Sequence, residues 1–93
     1  MLEKAIEKTL KTHVEKAGGM CLKLHPDSMV GLPDRLILLP GGKTAFIELK
    51  QAGQKPRPIQ TRRHQQLTAL GHQVRTLDNT HDIPGLIKEI AHG

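Results

Sequence analysis

Arg35-Leu36-Ile37-Leu38-Leu39-Pro40-Gly41-Gly42-Lys43-Thr44-Ala45-Phe46-Ile47-Glu48-Leu49-Lys50 reads as two apolar strands joined by a glycine turn. The first run, Arg35 to Leu39, is almost continuously apolar, which predicts a strand covered on both faces. Pro40-Gly41-Gly42-Lys43 supplies the turn, and Thr44 to Lys50 is the returning strand. Gly31-Leu32-Pro33-Asp34 leads into the first strand, and Glu48-Leu49-Lys50 closes the second. Apolar strands rarely bury an acid and a base side by side without a reason. Strand side chains alternate, so Phe46, Glu48 and Lys50 share one face. The turn decides whether Asp34 joins them. A strict two-residue turn at Gly41-Gly42 sets Asp34 opposite Leu49, whereas a three-residue turn, Pro40-Gly41-Gly42, sets it opposite Glu48. Three-residue hairpins commonly carry a glycine in the left-handed region, so the turn chemistry permits the second pairing.

Two carboxylates facing each other repel unless a cation lies between them. Hard oxygen ligands of this kind suit Mg²⁺ or Mn²⁺. The plain alternative is a Pro-Asp turn followed by a strand that exposes Glu48 and Lys50 at its tip. Further acids come from the first helix, where Leu2, Ile6, Leu10 and Val14 recur every four residues and predict an amphipathic helix over 2–17. Glu3 and Glu7 lie one turn apart on it, with Glu15 more distant, and Gly18-Gly19 ends it.

Met20 to Leu24 reads as a short strand, and His25 to Pro33 as a loop. After the hairpin, Gln51 to Pro58 carries two prolines and a glycine and is a loop. Ile59, Leu67 and Leu70 support a second helix over 59–70, ending at Gly71. Gln73 to Leu77 is a fourth strand. Ile83, Leu86, Ile87 and Ile90 give a last helix, with Asp82 as N-cap and Pro84 in its first turn. The predicted order is α-β-β-β-α-β-α, an α/β fold with a mixed sheet flanked by helices.

The chain has 93 residues, the size of a single domain, here 1–93. Its formal charge is +5, from 14 Lys and Arg against 9 Asp and Glu, a balance that suits a nucleic-acid partner. Phe46 is the sole aromatic among Phe, Trp and Tyr, which argues against a base-stacking platform for single strands and favours contact through phosphates. Lys50, Lys55, Arg57, Arg62 and Arg63 fall together with no acid among them; the last four are candidate DNA-binding residues beside the site. The lone Cys21, in an apolar run, reads as an inert buried thiol. The six histidines lack metal-ligand spacing, and with one cysteine a structural zinc site is disfavoured. No phosphate-binding glycine loop or nucleophile elbow is present. No stretch reaches membrane-spanning length and no signal peptide is visible, so an intracellular, cytoplasmic protein is expected, with no membrane partner.

Pro33-Asp34 followed by Glu48-Leu49-Lys50 resembles the PD-(D/E)xK nuclease signature. The wider pattern is closer still to the VRR-NUC (virus-type replication-repair nuclease) domain: a helical Glu, then Gly-x-Pro-Asp, then Glu-x-Lys, then a Gln opening the next helix. Here these are Glu7 or Glu3, Gly31-Leu32-Pro33-Asp34, Glu48-Leu49-Lys50 and Gln60, an ordered set spanning roughly 3–77. Related junction-resolving nucleases place apolar residues three and seven positions after the helical Glu and a helix-ending Gly at eleven. Glu7 meets this with Leu10, Val14 and Gly18, and Glu3 does not. The resemblance implies a restriction-endonuclease-like fold and metal-dependent hydrolysis of DNA phosphodiesters. Asp34, Glu48 and the Leu49 carbonyl would hold Mg²⁺ or Mn²⁺, and Glu7 would complete the shell directly or through water. Lys50 would orient water or stabilise the transition state, and Gln60 would orient Lys50 or the water. Stand-alone phage and bacterial members resemble resolvases of four-way (Holliday) junctions and tend to be homodimers; the long apolar face of the first helix leaves room for such an interface. The alternatives are a restriction-type, nicking or flap nuclease of the same fold, and a non-catalytic DNA-binding module.

Overall fold

The computed structural model describes residues 2–25 and 29–93. Residues 26–28, inside the predicted 25–33 loop, lie outside the described residues. The elements are α1 (Glu3–Lys16), β1 (Met20–Lys23), β2 (Arg35–Leu39), β3 (Lys43–Leu49), α2 (Pro58–Ala69), β4 (Gln73–Leu77) and α3 (Ile83–His92). This is the order the sequence predicts, with ends displaced by about one residue. The sheet runs β1-β2-β3-β4, with β1, β2 and β3 antiparallel and β4 parallel to β3.

The β2–β3 hairpin has the three-residue turn. Leu39 pairs with Lys43 and Arg35 with Ile47, and the same register sets Asp34 opposite Glu48. Gly41 and Gly42 carry φ of 82° and 74°, in the left-handed region where L side chains are strained. Alternation then sorts the sheet into two faces. Ile37, Leu39, Ala45, Ile47, Leu49 and Leu77 meet Ile6, Leu10 and Val14 of α1 and Ile83, Leu86 and Ile90 of α3 in one buried core. The other face carries Leu36, Leu38, Phe46 and Glu48, and α2 covers only the part of it near β4.

Two expectations change here. β2 is not buried on both faces: Leu36 and Leu38 are half-buried, and beside them Met20 and Leu22 of β1 are 57% and 36% exposed. The apolar face of α1 is consumed by the chain's own core, so it is not free for a partner. Asp82 holds the N-cap position of α3 without a side-chain cap bond; its own N–H donates to Asn79 Oδ1 at 2.9 Å instead. Cys21 is half-buried against the core, and burial raises its thiol pKa, as an inert thiol requires. Among the described residues no helix is long and apolar enough to cross a membrane.

A methyl group added at Gly41 or Gly42 meets nothing within 4 Å, so Gly41→Ala and Gly42→Ala test the backbone alone. Each is expected to lower stability by about 1–2 kcal/mol in urea denaturation. Equal midpoints for parent and variants would show that the turn does not need left-handed residues.

Candidate active site

The register brings the carboxylates of two strands to one end of the hairpin. Asp34 stands at the entry to β2, where its Oδ2 accepts a hydrogen bond from the Leu49 N–H at 2.8 Å. That bond ties the two strand ends together and turns the Asp34 carboxylate towards β3. Glu48 is almost fully buried on the α2 face. Its Oε2 accepts from Gln60 Nε2 at 3.0 Å and lies 3.6 Å from Lys50 Nζ. Its Oε1 is buried, finds no hydrogen-bond partner among the described residues and lies 3.8 Å from His64 Nε2, which is equally unpartnered among them.

Burial pushes the Glu48 carboxyl up to about 7, with the charge of Asp34 adding to the rise and Lys50 opposing it. His64 moves down, mainly through burial and next through the Lys50 ammonium, so its contact with Glu48 is not that of an ion pair. Glu48 therefore lies in a pocket that disfavours its own charge.

Gln60 is fixed at both ends of its amide. Oε1 accepts from the Arg57 N–H at 2.8 Å, satisfying a free donor at the start of α2, and Nε2 reaches Glu48. Its contact is thus with Glu48. Glu7 lies on the other side: with Glu3, Asp34, Arg35 and Leu49 it lines a cleft of about 360 Å³. The Glu7 carboxylate pairs with Arg35, which is buried on the core face of β2. Asp34 stands between the two groups, lining the cleft and acting on Glu48. Among the described residues no three Asp, Glu, His or Cys side chains converge into a metal-holding group.

Of the basic cluster, Lys55, Arg57 and Arg62 are exposed. Arg63 is occupied within the chain: Nε donates to the Val30 carbonyl and Nη1 to Gln66 Oε1, both at 2.8 Å. It lies against Gly31, where a Cβ would come within 2.8 Å of both Arg63 Cγ and the Ile59 carbonyl oxygen. The glycine of the Gly-x-Pro-Asp motif is thus required by the close approach of α2 to the loop that delivers Asp34.

No family model matches the chain. A relative from Acyrthosiphon pisum secondary endosymbiont phage 1, named "Putative nuclease p44", is 49% identical over 77 residues, covering 83% of each chain. A solved structure described as a VRR_NUC domain superposes with a TM-score of 0.86 at 32% identity, over 92% of this chain and 94% of that one. The chain belongs to the VRR-NUC family.

Two residues of this VRR-NUC site escape a reading of the motif alone, Arg35 and His64. Both carry a signal. Alternation puts Arg35 on the same face as Ile37 and Leu39, so a buried guanidinium there demands an acid. Glu7 lies three and seven residues before Leu10 and Val14, at the half-exposed edge of the buried stripe of α1, and supplies it. His64 follows Gln60 by one helical turn and so faces the same strand.

The sign of the Glu48 shift gives a stability test in EDTA. The folded chain binds a proton on Glu48 up to about pH 7, whereas the unfolded chain releases it near 4.5. Its contribution is therefore most favourable below 4.5 and is lost as pH rises through 7. Glu48→Gln is expected to melt above the parent at pH 8, by the equivalent of about 1–3 kcal/mol, with the gap closing towards pH 5. A parent that is the more stable of the two at pH 8 contradicts this.

Proposed function

We propose that this chain is a divalent-metal-dependent endonuclease that hydrolyses phosphodiester bonds in branched DNA, four-way junctions foremost. The observation that carries the reading is the facing pair Asp34 and Glu48, with one buried Glu48 oxygen lacking a partner and Lys50 beside the other. An oxygen-loving cation is what such an atom fits. Mg²⁺ ordinarily keeps several waters and takes one or two carboxylates, so a site without three convergent acids suits it. Asp34, Glu48 and the Leu49 carbonyl would hold Mg²⁺ or Mn²⁺, with Glu7, engaged by Arg35, joining through water.

When bound, the metal supplies a water acidic enough to ionise near neutral pH and neutralises charge on the phosphate. The chain's own groups do the rest. Water adds to phosphorus and one P–O ester bond breaks, giving a phosphate monoester and an alcohol. The Lys50 ammonium stabilises the negative charge that builds on the phosphoryl oxygens or orients the water. Gln60 holds Glu48 in place through Oε2. Lys55 and Arg57, before the start of α2, and Arg62, in its second turn, are exposed and would take flanking phosphates. The nuclease name of the phage relative and the VRR-NUC match agree with this chemistry.

Symmetric cutting of a four-way junction needs two sites related by a two-fold axis. We assign the contact between two copies to the half-open sheet face of Met20, Leu22, Leu36 and Leu38, since α1 is spent on the core. A cytoplasmic setting in a bacterial or phage-infected cell goes with this substrate.

Asp34→Ala, Glu48→Ala and Lys50→Ala are each expected to reduce Mg²⁺-dependent cleavage by about 100-fold or more while leaving the circular dichroism spectrum and duplex affinity near those of the parent. Variants that cut as fast as the parent would remove the assignment. Run on a four-way junction, a flap and linear duplex of equal length, the same assay separates a resolvase from a flap, nicking or restriction-type enzyme, and a protein that binds all three but cuts none is a binding module. In light scattering the parent should show twice the mass of one chain and Leu38→Lys the mass of one; a single-chain mass for the parent removes the dimer.

A further inference from the structure

Glu48 Oε1 and His64 Nε2 are both buried, both lack a hydrogen-bond partner among the described residues, and face each other across 3.8 Å. A buried polar atom without a partner costs stability unless something supplies one. Here the two orphans belong to one strand and one helix, and the helix already holds the other oxygen of the same carboxylate through Gln60. Gln60 and His64 are one helical turn apart, so α2 presents a pair of nitrogen donors to the two oxygens of Glu48.

We propose that His64 is a positioning residue for Glu48, its Nε2–H holding Oε1 while Gln60 holds Oε2, so that the carboxylate is locked in the plane and direction in which it meets a cation beside Asp34. The proposal rests on the reading of Glu48 as a metal-binding carboxylate. His64 is not placed as a ligand itself: among the described residues Asp34, Glu48 and His64 do not form a metal-holding group. Its buried nitrogen facing a buried carboxylate oxygen has the geometry of a hydrogen-bond donor. The nitrogen that faces a carboxylate oxygen is the one that carries the hydrogen, and an approach of less than about 1 Å brings the pair to hydrogen-bond length. A carboxylate oxygen has two lone pairs, so Oε1 accepts from His64 and still offers a lone pair to the cation. Hydrogen-bonding partners of this kind behind a ligand typically account for about 10–100-fold in metal affinity.

The test uses the full chain, Mn²⁺ alone and two variants. His64→Leu removes the donor at similar size, and His64→Gln restores an N–H. Mn²⁺ binding is measured by calorimetry, and the melting temperature is measured separately in EDTA. The expected result is Mn²⁺ affinity about 10-fold or more weaker in His64→Leu, recovered to within about threefold in His64→Gln. The EDTA melting temperature of His64→Leu should be unchanged or higher, because across 3.8 Å the pair makes no hydrogen bond that the substitution could remove. Loss of EDTA stability with no change in Mn²⁺ affinity would mark a packing residue and overturn the proposal. So would His64→Gln binding as weakly as His64→Leu, a comparison that His64→Gln against the parent still provides if His64→Leu does not fold. A parent that takes up no Mn²⁺ removes the metal reading itself, and this inference with it; a parent that binds Mn²⁺ as tightly as His64→Leu does removes this inference alone.

Discussion

The register of one hairpin governs this molecule. A slip of one residue in a β pair sends every side chain to the opposite face. With the turn at Pro40-Gly41-Gly42, Ile37, Leu39, Ala45, Ile47 and Leu49 enter the core together, and Asp34 meets Glu48 on the other face. The same parity therefore builds the hydrophobic core and the acid pair. Neither can be moved without the other, although the acid pair lies at the end of the hairpin away from the turn.

The two faces of the sheet are held by different forces. On one, α1 and α3 bury Ile6, Leu10, Val14, Ile83, Leu86 and Ile90 against the strands. On the other, the sole fully buried residue of α2 is Gln60, and the helix is fastened by polar bonds from Gln60 to Glu48 and from Arg63 to the Val30 carbonyl. The acid at the centre of this second face is held against its own ionisation. Strain of this kind is common at functional sites.

The element order and the buried stripes of α1 and α3 were legible in the sequence because apolar spacing is a direct record of which face meets a core. The Asp34–Glu48 pairing was legible as one of two outcomes, and the choice between them lay in three residues, Pro40, Gly41 and Gly42. The coverage of β2 was misread because a continuous apolar run states a preference for burial without stating what does the burying; here α2 falls short of Leu36 and Leu38. The Arg35–Glu7 pair and the His64 contact join residues 28 and 16 positions apart in sequence, and become visible only when helix and strand phases are laid over each other. Arg63, one of a row of cations, gives no sign in sequence that a loop carbonyl occupies it.

The polar fastening of α2 has a dynamic consequence. Native-state opening runs in cooperative pieces, and a piece with little buried apolar area opens at the lowest free energy. α2 is that piece: its amide protons should exchange with solvent ahead of those in α1 and α3, and its departure would carry away Gln60, His64 and the Arg63 tether to the Asp34 loop at once. Whatever ionises and satisfies Glu48 strengthens the bonds that hold the helix down. The opening free energy of α2 and the charge state of Glu48 are therefore linked.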